Sequence, residues 1–476
     1  MEMNSNNIYD LVFLGGGPGG YVGAIHAAQI GLKVAVIEKD KVGGVCLHRG
    51  CIPTKALLRS AEIYRNTLEA VQFGIHTEGA SYDFSKVQSR KQKVVDQLHH
   101  GIEFLFKKNN VTLIHGYGEI LAKPNDSDLQ QLQVEMESGE KIVVKTKKII
   151  IGTGSRPKSL PGLTVDGEFI MTSDEALEMN PLPKSVIIIG GGVIGMEWAS
   201  MLHDFGVEVT VIEFLPRILP LEDEEISKEM TRVMKKRKIK IYTNSAVLPE
   251  SVRIIDNQVE LNAKNGEKIL HFSSEKILVS VGRQANIERI GLEHVNVEVE
   301  KGLIKVNEAF QTTNPDIYAV GDVIGRLQLA HVASHEAILA VDHIAGKNPD
   351  PIDYLAIPRA TFTSPEVASL GLTELEARDK GYEVKVGKFQ LRGNGKALIH
   401  GEVDGVIKIV ADKITGEILG VHMMGPHVTD MITETAVAKV IGATASQVAY
   451  TVHPHPTLSE AIMEAGHDVN DEAIHA

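Results

Sequence analysis

Apolar and polar positions along the chain form a unit that occurs twice. In "LVFLGGGPGGYVGAIHAAQIGLKVAVIEK" (Leu11 to Lys39) a short apolar run leads into a Gly-rich turn, a helical stretch ended by glycine, a second apolar run and an acid. "VIIIGGGVIGMEWASMLHDFGVEVTVIEF" (Val186 to Phe214) repeats this at a shift of 175 positions without a gap. Gly15, Gly17, Gly20, Gly31 and Glu38 fall on Gly190, Gly192, Gly195, Gly206 and Glu213. Each copy predicts strand, turn, helix and strand, with the acid closing the second strand.

The spacing has a physical reading. The first glycine permits a tight turn, the second lets backbone approach a pyrophosphate, and the third lets helix and strand pack closely. The helix N-terminus then faces the phosphate charge, and the closing acid can accept a hydrogen bond from a ribose 2′-OH. One G-x-G-x-x-G alone is weak, but two in register with strand, helix and acid predict two dinucleotide sites. Two dinucleotides in one chain suggest electrons passing between them. Glu213 would repel the 2′-phosphate of NADP and suits NAD, although Arg217, four residues on, could read a phosphate. At the first site a flavin would serve, because the chain's cysteines follow closely and a flavin accepts electrons from a thiolate.

At about 150 residues per domain, 476 residues predict roughly three domains, and 43% hydrophobic content is enough to build cores. The net charge of -13 comes with no Lys/Arg block, so neither nucleic acid nor an anionic membrane is an expected partner. "MEMNSNNIYD" lacks the basic region of a signal peptide and "LVFL" is too short to span a bilayer, so a cytoplasmic location is expected.

Both cysteines fall within "GGVCLHRGCIPTK", Gly43 to Lys55. In a cytosolic chain such a pair is redox-active or metal-binding more often than a structural staple. A regular helix would separate C-x4-C by about 7.5 Å along its axis, beyond the roughly 7 Å reach of a disulfide. The segment is therefore not plain helix throughout. Gly50 and Pro53 favour a distorted turn feeding a helix that starts near "TKALLRSAEIY". A bond across so short a loop would constrain the unfolded chain little. Zinc would need further ligands, and only His48 is near, so no metal is expected; a structural or incidental pair stays open beside the redox reading.

These residues resemble the flavin-dependent pyridine nucleotide-disulfide oxidoreductases, nearest to the branch that oxidises dihydrolipoamide. The resemblance runs through "IIIGTGSRP" (Ile149 to Pro157), "VSVGRQAN" (Val279 to Asn286), "TTNPDIYAVGD" (Thr312 to Asp322) and "HPHPTLSE" (His453 to Glu460), in addition to the two turns and the cysteine stretch. It implies that Cys51 lies against the flavin as a charge-transfer thiolate and that Cys46 exchanges with substrate. Lys55 would stand near flavin N5, on the helical face of Cys51, and Glu197 near the nicotinamide, able to pair with that lysine. Asp322 would bind a ribityl hydroxyl of FAD, with Gly118, Thr153, Gly154, Ser155 and Gly282 as further cofactor contacts. A thiol near its ordinary pKa is mostly protonated at neutral pH, so exchange needs a base. His455 matches that base and Glu460 the acid that orients it; His453 has a supporting or surface role.

The implied fold is α/β, with two Rossmann-like dinucleotide-binding domains and a C-terminal α/β interface domain. Residues 1–150 would bind FAD and carry the disulfide, 151–280 would bind NAD, 281–350 would return to the flavin, and 351–476 would form the dimer interface. In the family the histidine serves the disulfide of the partner subunit, which implies a homodimer. The implied reaction is oxidation of dihydrolipoamide, carried by the acyltransferase of a 2-oxo acid dehydrogenase complex, with FAD and NAD as cofactors. Alternatives are a glutathione or mercuric reductase type of the same family, or a redox-silent structural subunit of a large complex. Val45, His48, Arg49 and Ala285 depart from the usual Thr, Asn, Val and Pro, and "CLHRGC" resembles members serving branched-chain complexes. No N-terminal lipoyl domain is expected.

Overall fold

The computed structural model describes residues 8–125 and 127–475. Met1–Asn7, most of the stretch read for a leader, lies outside the described residues. The chain divides into two compact units.

The first unit comprises residues up to 57, 83–158 and 283–352. It is built on a seven-stranded sheet. Its centre is β1 (Ile8–Leu14), parallel to β2 (Val34–Glu38) on one side and to Lys141–Ile151 on the other. Thr112–His115 adds to β2 and Ile317–Ala319 to Lys141–Ile151, both parallel. Gln130–Glu135 and Tyr117–Ile120 extend the sheet antiparallel. Leu11–Leu14 and Val34–Ile37 are buried without a break, the pattern of parallel strands covered on both faces. Between β1 and β2 runs α1 (Pro18–Gln29), with Pro18 in its first turn, where a missing N–H costs nothing, and Gly31 at φ +93° just beyond its end.

The second unit comprises 58–82, 159–282 and residues from 353 onward. It repeats the device. Five parallel strands lie in the order Lys240–Tyr242, Glu208–Ile212, Ser185–Ile189, Lys276–Val279, Ile170–Thr172, with the helix Val193–Asp204 between the second and third of these. Beside it, Ser245–Ile255, Gln258–Asn265 and Lys268–Ser274 form an antiparallel sheet. The C-terminal part is a five-stranded antiparallel sheet, Arg359–Thr361, Glu366–Gly371, Ile418–Gly425, Val406–Asp412 and Val384–Gln390 in spatial order. The helices Val428–Val440 and Glu460–Asp468 pack their buried Ile432, Ala461, Ile462 and Ala465 into the same apolar core as Ile407, Ile409 and Val421 of that sheet.

Within this unit a buried ionic group joins the nucleotide-type sheet to the C-terminal one. Lys408 Nζ, on a side chain only 4% exposed, donates to both Asp223 oxygens at 2.9 and 3.0 Å and stands 3.0 Å from Glu374. Asp223 also accepts from Glu225 N at 3.0 Å, capping the helix Glu224–Lys236. A buried lysine surrounded in this way keeps its charge, and it stays tolerable only while its carboxylates are present.

Candidate active site

The first Gly-rich turn is shaped by its own backbone. Gly15 sits at φ +109°, where a Cβ would lie 2.3 Å from Gly152 O, and a Cβ on Gly20 would lie 1.9 Å from Gly15 O. Gly17 differs, since its Cβ would meet nothing closer than Gly44 Cα at 3.9 Å. The least crowded glycine of the three is the one whose backbone should approach a pyrophosphate, at the N-cap of α1. The second turn reproduces this. Gly190 (φ +109°) and Gly195 are closed off by Ser280 O at 2.4 Å and Gly190 O at 2.0 Å, while Gly192 has nothing within 4 Å.

The closing acids do more than the spacing predicts. Glu38 accepts from Gly16 N at 2.7 Å and Asp40 N at 2.9 Å. Glu213 accepts from Gly191 N at 2.5 Å and Leu215 N at 2.6 Å. Each carboxylate pins its own turn, and its remaining lone pairs are left for a ribose hydroxyl. Arg217 Nη1 stands 3.1 Å from Glu224, and its Nη2 donates to Pro220 O at 3.0 Å.

Beside the first turn, a cleft of about 220 Å³ is lined by Gly15, Glu38, Tyr117, Gly118, Thr153 and Asn286, among others. Gly118 is buried in its strand, where a Cβ would press on Leu14 at 2.5 Å. Gly154, at φ +69°, follows Thr153, whose hydroxyl donates to Asn286 O at 2.6 Å. The Ser155 hydroxyl donates to Asp322 in a short hydrogen bond and accepts from Arg283 Nε at 2.7 Å. Asp322 is the second residue of the 3-10 turn Gly321–Ile324, whose Gly321 N donates to the buried Glu336 at 2.7 Å. The uncrowded Gly17, the cleft and the Glu38 carboxylate that lines it together fit a dinucleotide. Gly282, at φ +112°, has nothing within 4 Å of a Cβ.

The cysteine segment is broken at the position the spacing requires. α2 (Gly44–Arg49) starts from Gly43 at φ +103° and ends at Gly50, which is non-helical at φ -147°, ψ -116°. α3 (Cys51–Glu69) begins immediately, three residues before the expected start at Thr54, because Pro53 falls in the first turn, where its missing N–H is harmless. Across this break Cys46 and Cys51 are in hydrogen-bond contact. The hydrogen bond with Cys51, then burial, then the charge Cys51 would carry push the Cys46 thiol far above its usual value, against the opposing pull of Lys55 and the Cys51 N–H. Cys51 is exposed and Cys46 half-buried, so the order of exposure within one chain does not by itself mark Cys46 as the outer thiol. Lys55 lies one turn along α3 from Cys51.

Glu197, buried in the helix Val193–Asp204, accepts from Phe362 N at 2.9 Å. His455 is 78% exposed, and its Nδ1 is held by Glu460 Oε1 at 2.9 Å. Glu460 Oε2 accepts from Thr457 N at 2.7 Å. Partial burial would raise the Glu460 carboxyl, but the Thr457 N–H and the His455 ring outweigh it and hold it below its usual range. With Nδ1 engaged, Nε2 is the nitrogen left to move a proton. His453 contacts Thr451 O at 2.7 Å and Glu434 at 2.8 Å. Among the described residues no His, Cys, Asp or Glu cluster could hold a metal ion. Arg283, Asn286 and Glu336 were not singled out by spacing; the first two lie in the "VSVGRQAN" stretch, while nothing local marks Glu336.

Two Rossmann-type turns and a contacting pair of cysteines define a dinucleotide-dependent dithiol–disulfide oxidoreductase. The chain belongs to the pyridine nucleotide-disulphide oxidoreductase family, whose model matches residues 9–337, followed by that family's dimerisation domain at 357–466. It is 57% identical over 469 residues to a dihydrolipoyl dehydrogenase of Bacillus subtilis, covering 98% of this chain and 99% of that protein. A dihydrolipoyl dehydrogenase of Zymomonas mobilis is 42% identical with the same coverage of both. Among solved structures, LpdA from Mycobacterium tuberculosis matches with a TM-score of 0.90 at 26% identity over 96% of this chain and 98% of that one. The HOCl-induced flavoprotein disulfide reductase RclA from Escherichia coli, in a Cu(II) complex, matches at 0.86 and 26% over 97% and 99%.

Proposed function

We propose that this chain is a dihydrolipoyl dehydrogenase, oxidising protein-bound dihydrolipoamide to lipoamide and reducing NAD+ to NADH, with FAD at the first Gly-rich turn and NAD at the second. The observation that carries the reading is the contact between Cys46 and Cys51 across the helix break at Gly50, in a chain with these relatives. Glu213 favours NAD over NADP at the second turn.

In the oxidised protein Cys46 and Cys51 form a disulfide. His455 Nε2 takes the proton of one substrate thiol, and the resulting thiolate attacks Cys46, breaking the S–S bond and releasing Cys51 as thiolate. The second substrate thiol closes the lipoyl disulfide, and its proton passes to Cys46 as that thiol leaves. Lys55, one turn on, stabilises the Cys51 thiolate. FAD, held by the first Gly-rich turn and the cleft beside it, would supply the route by which the electron pair of the dithiol reaches NAD+ as hydride. Glu460 keeps the imidazole oriented throughout.

The match to a dimerisation domain, which contains both His455 and Glu460, supports a homodimer in which His455 serves the cysteine pair of a second copy. The lipoyl group would be presented by the acyltransferase of a 2-oxo acid dehydrogenase complex. A cytoplasmic setting belongs to this reading; no helix among the described residues is long and apolar enough to cross a membrane. The test is NAD+ reduction by dihydrolipoamide in Cys46→Ser, Cys51→Ser and His455→Gln. Each should lose most turnover, and a variant near wild-type rates would remove that residue from the relay.

A further inference from the structure

We infer that Arg156 and Glu288, braced by Asn286 and Tyr117, form a latch that holds the adenosine end of FAD in the cleft beside the first Gly-rich turn. This rests on the reading of that turn as the FAD site, and it assigns a retention role to residues outside the Gly-rich signature.

The cleft has two kinds of wall. One is the sheet edge, where Gly15 and Glu38 mark where pyrophosphate and ribose belong. A base continuing outward from that ribose must lie between Gly116–Gly118 on one side and Asn286 and Glu288 on the other, all of which line the same cleft. The Asn286 side is not part of the main sheet. Its base is fixed: Asn286 N donates to Gly154 O at 2.9 Å, and Asn286 Nδ2 donates to Thr153 O at 3.0 Å.

Its tip is fixed by side chains. Arg156 grips Glu288 with two parallel hydrogen bonds, Nη2 to Oε1 at 2.7 Å and Nη1 to Oε2 at 3.0 Å, and reaches Asn286 Oδ1 at 2.9 Å. From the opposite wall, the Tyr117 hydroxyl reaches the carbonyls of Glu288 and Arg289, both at 3.1 Å, and its single proton can serve either. The segment is thus tied to both walls of the cleft it borders. The Arg156 and Glu288 side chains are 44% and 50% exposed. A pair that exposed adds little to folding stability, but a bidentate guanidinium–carboxylate fork fixes geometry well. Glu288 neutralises Arg156 within the fork. The role of this wall is closure, and the adenosine end leaves only after the fork opens.

The test follows release of FAD from the purified holoenzyme by the fluorescence of free FAD, without substrate. Arg156→Gln and Glu288→Gln, which keep side-chain shape, should each release FAD about three- to tenfold faster. The double variant should be no faster than Arg156→Gln alone, because Glu288→Gln breaks only the fork that Arg156→Gln already removes along with the Asn286 contact, and the reciprocal pair Arg156→Glu/Glu288→Arg should recover the part of the wild-type rate that the fork supplies. Raising salt should speed release from wild type but not from the double variant. Wild-type release in both singles would overturn the latch, as would additive acceleration with no recovery in the swap. A wild-type protein that holds no FAD would instead overturn the reading of the first turn, and one that holds FAD normally but does not oxidise dihydrolipoamide would overturn the function alone.

Discussion

Replacing Glu460 by Gln tests the arrangement of the base with the smallest change of shape. Both Glu460 oxygens face donors, the His455 Nδ1–H at 2.9 Å and the Thr457 N–H at 2.7 Å. A carboxylate accepts at both positions, whereas an amide accepts at one and presents an NH2 at the other. Whichever way the Gln side chain flips, one contact becomes donor against donor. If the backbone contact survives, His455 loses its orienting acceptor; if the histidine contact survives, the Thr457 end of the loop is pushed away. A hydrogen bond to a charged group contributes about 1.5–3 kcal/mol. His455 is 78% exposed, so solvent screens part of this, and a loss of about 1–2 kcal/mol is expected. That corresponds to roughly 5- to 30-fold in kcat/KM for dihydrolipoamide, measured by NADH formation. Because the Glu460 carboxyl is held below its ordinary value of 4.5, its orienting contact is fully present above that pH and is lost only as pH falls through the lowered value. Glu460 therefore contributes no limb to the wild-type profile above pH 5. A Glu460→Gln enzyme within twofold of wild type in kcat/KM would refute this account of how the base is held.

Gly190→Ala places a methyl about where Ser280 O stands, 2.4 Å away, at a φ of +109° that alanine adopts poorly, and should raise the KM for NAD+ more than tenfold while leaving flavin content unchanged; equal loss of flavin would mean the two turns are not independent sites. Lys408→Met strips the cation from buried Asp223 and should cost on the order of 3–5 kcal/mol in urea unfolding, whereas Lys413→Met, at an exposed pair with Glu383, should cost under about 1 kcal/mol. Comparable shifts in the two would discount the buried group. The hydrogen bond from Arg156 lowers the Glu288 carboxyl from 4.5 to about 2. The fork is thus intact above pH 4.5 and lost as pH falls toward about 2, so wild-type FAD release should be flat from pH 8 to 4. Arg156→Gln, whose fork is already open, should be flat over the same range at its faster rate, and a wild-type protein that accelerates between pH 5 and 4 would contradict the pairing.

What the sequence made legible was local. The glycine roles follow from backbone contacts within a few residues and one strand, so Gly15, Gly17 and Gly20, and their counterparts at Gly190, Gly192 and Gly195, could be read from spacing. The cysteine segment was legible for the same reason: a helical rise too long for the pair demanded a break, and Gly50 supplies it. The earlier start of α3 at Cys51 shows that a proline in the first helical turn is weaker punctuation than it looks in the sequence. Long-range pairs were not legible. Ser155 with Asp322, Gly321 with Glu336, and Arg156 with Glu288 join residues of ordinary type, 167, 15 and 132 positions apart, with no periodicity to mark them. The second bonding role of Glu38 and Glu213 toward their own turns was hidden too, because the same spacing serves a ribose hydroxyl and a backbone N–H.

The most direct test of the central claim is an anaerobic titration of the purified protein with dihydrolipoamide, followed by its visible spectrum. The account predicts a long-wavelength absorption band, from the Cys51 thiolate against the flavin, that reaches its maximum at two electrons per flavin and is absent in Cys51→Ser. A spectrum that stays oxidised under dihydrolipoamide, while NADH reduces the flavin readily, would contradict it and assign the cysteine pair to another substrate.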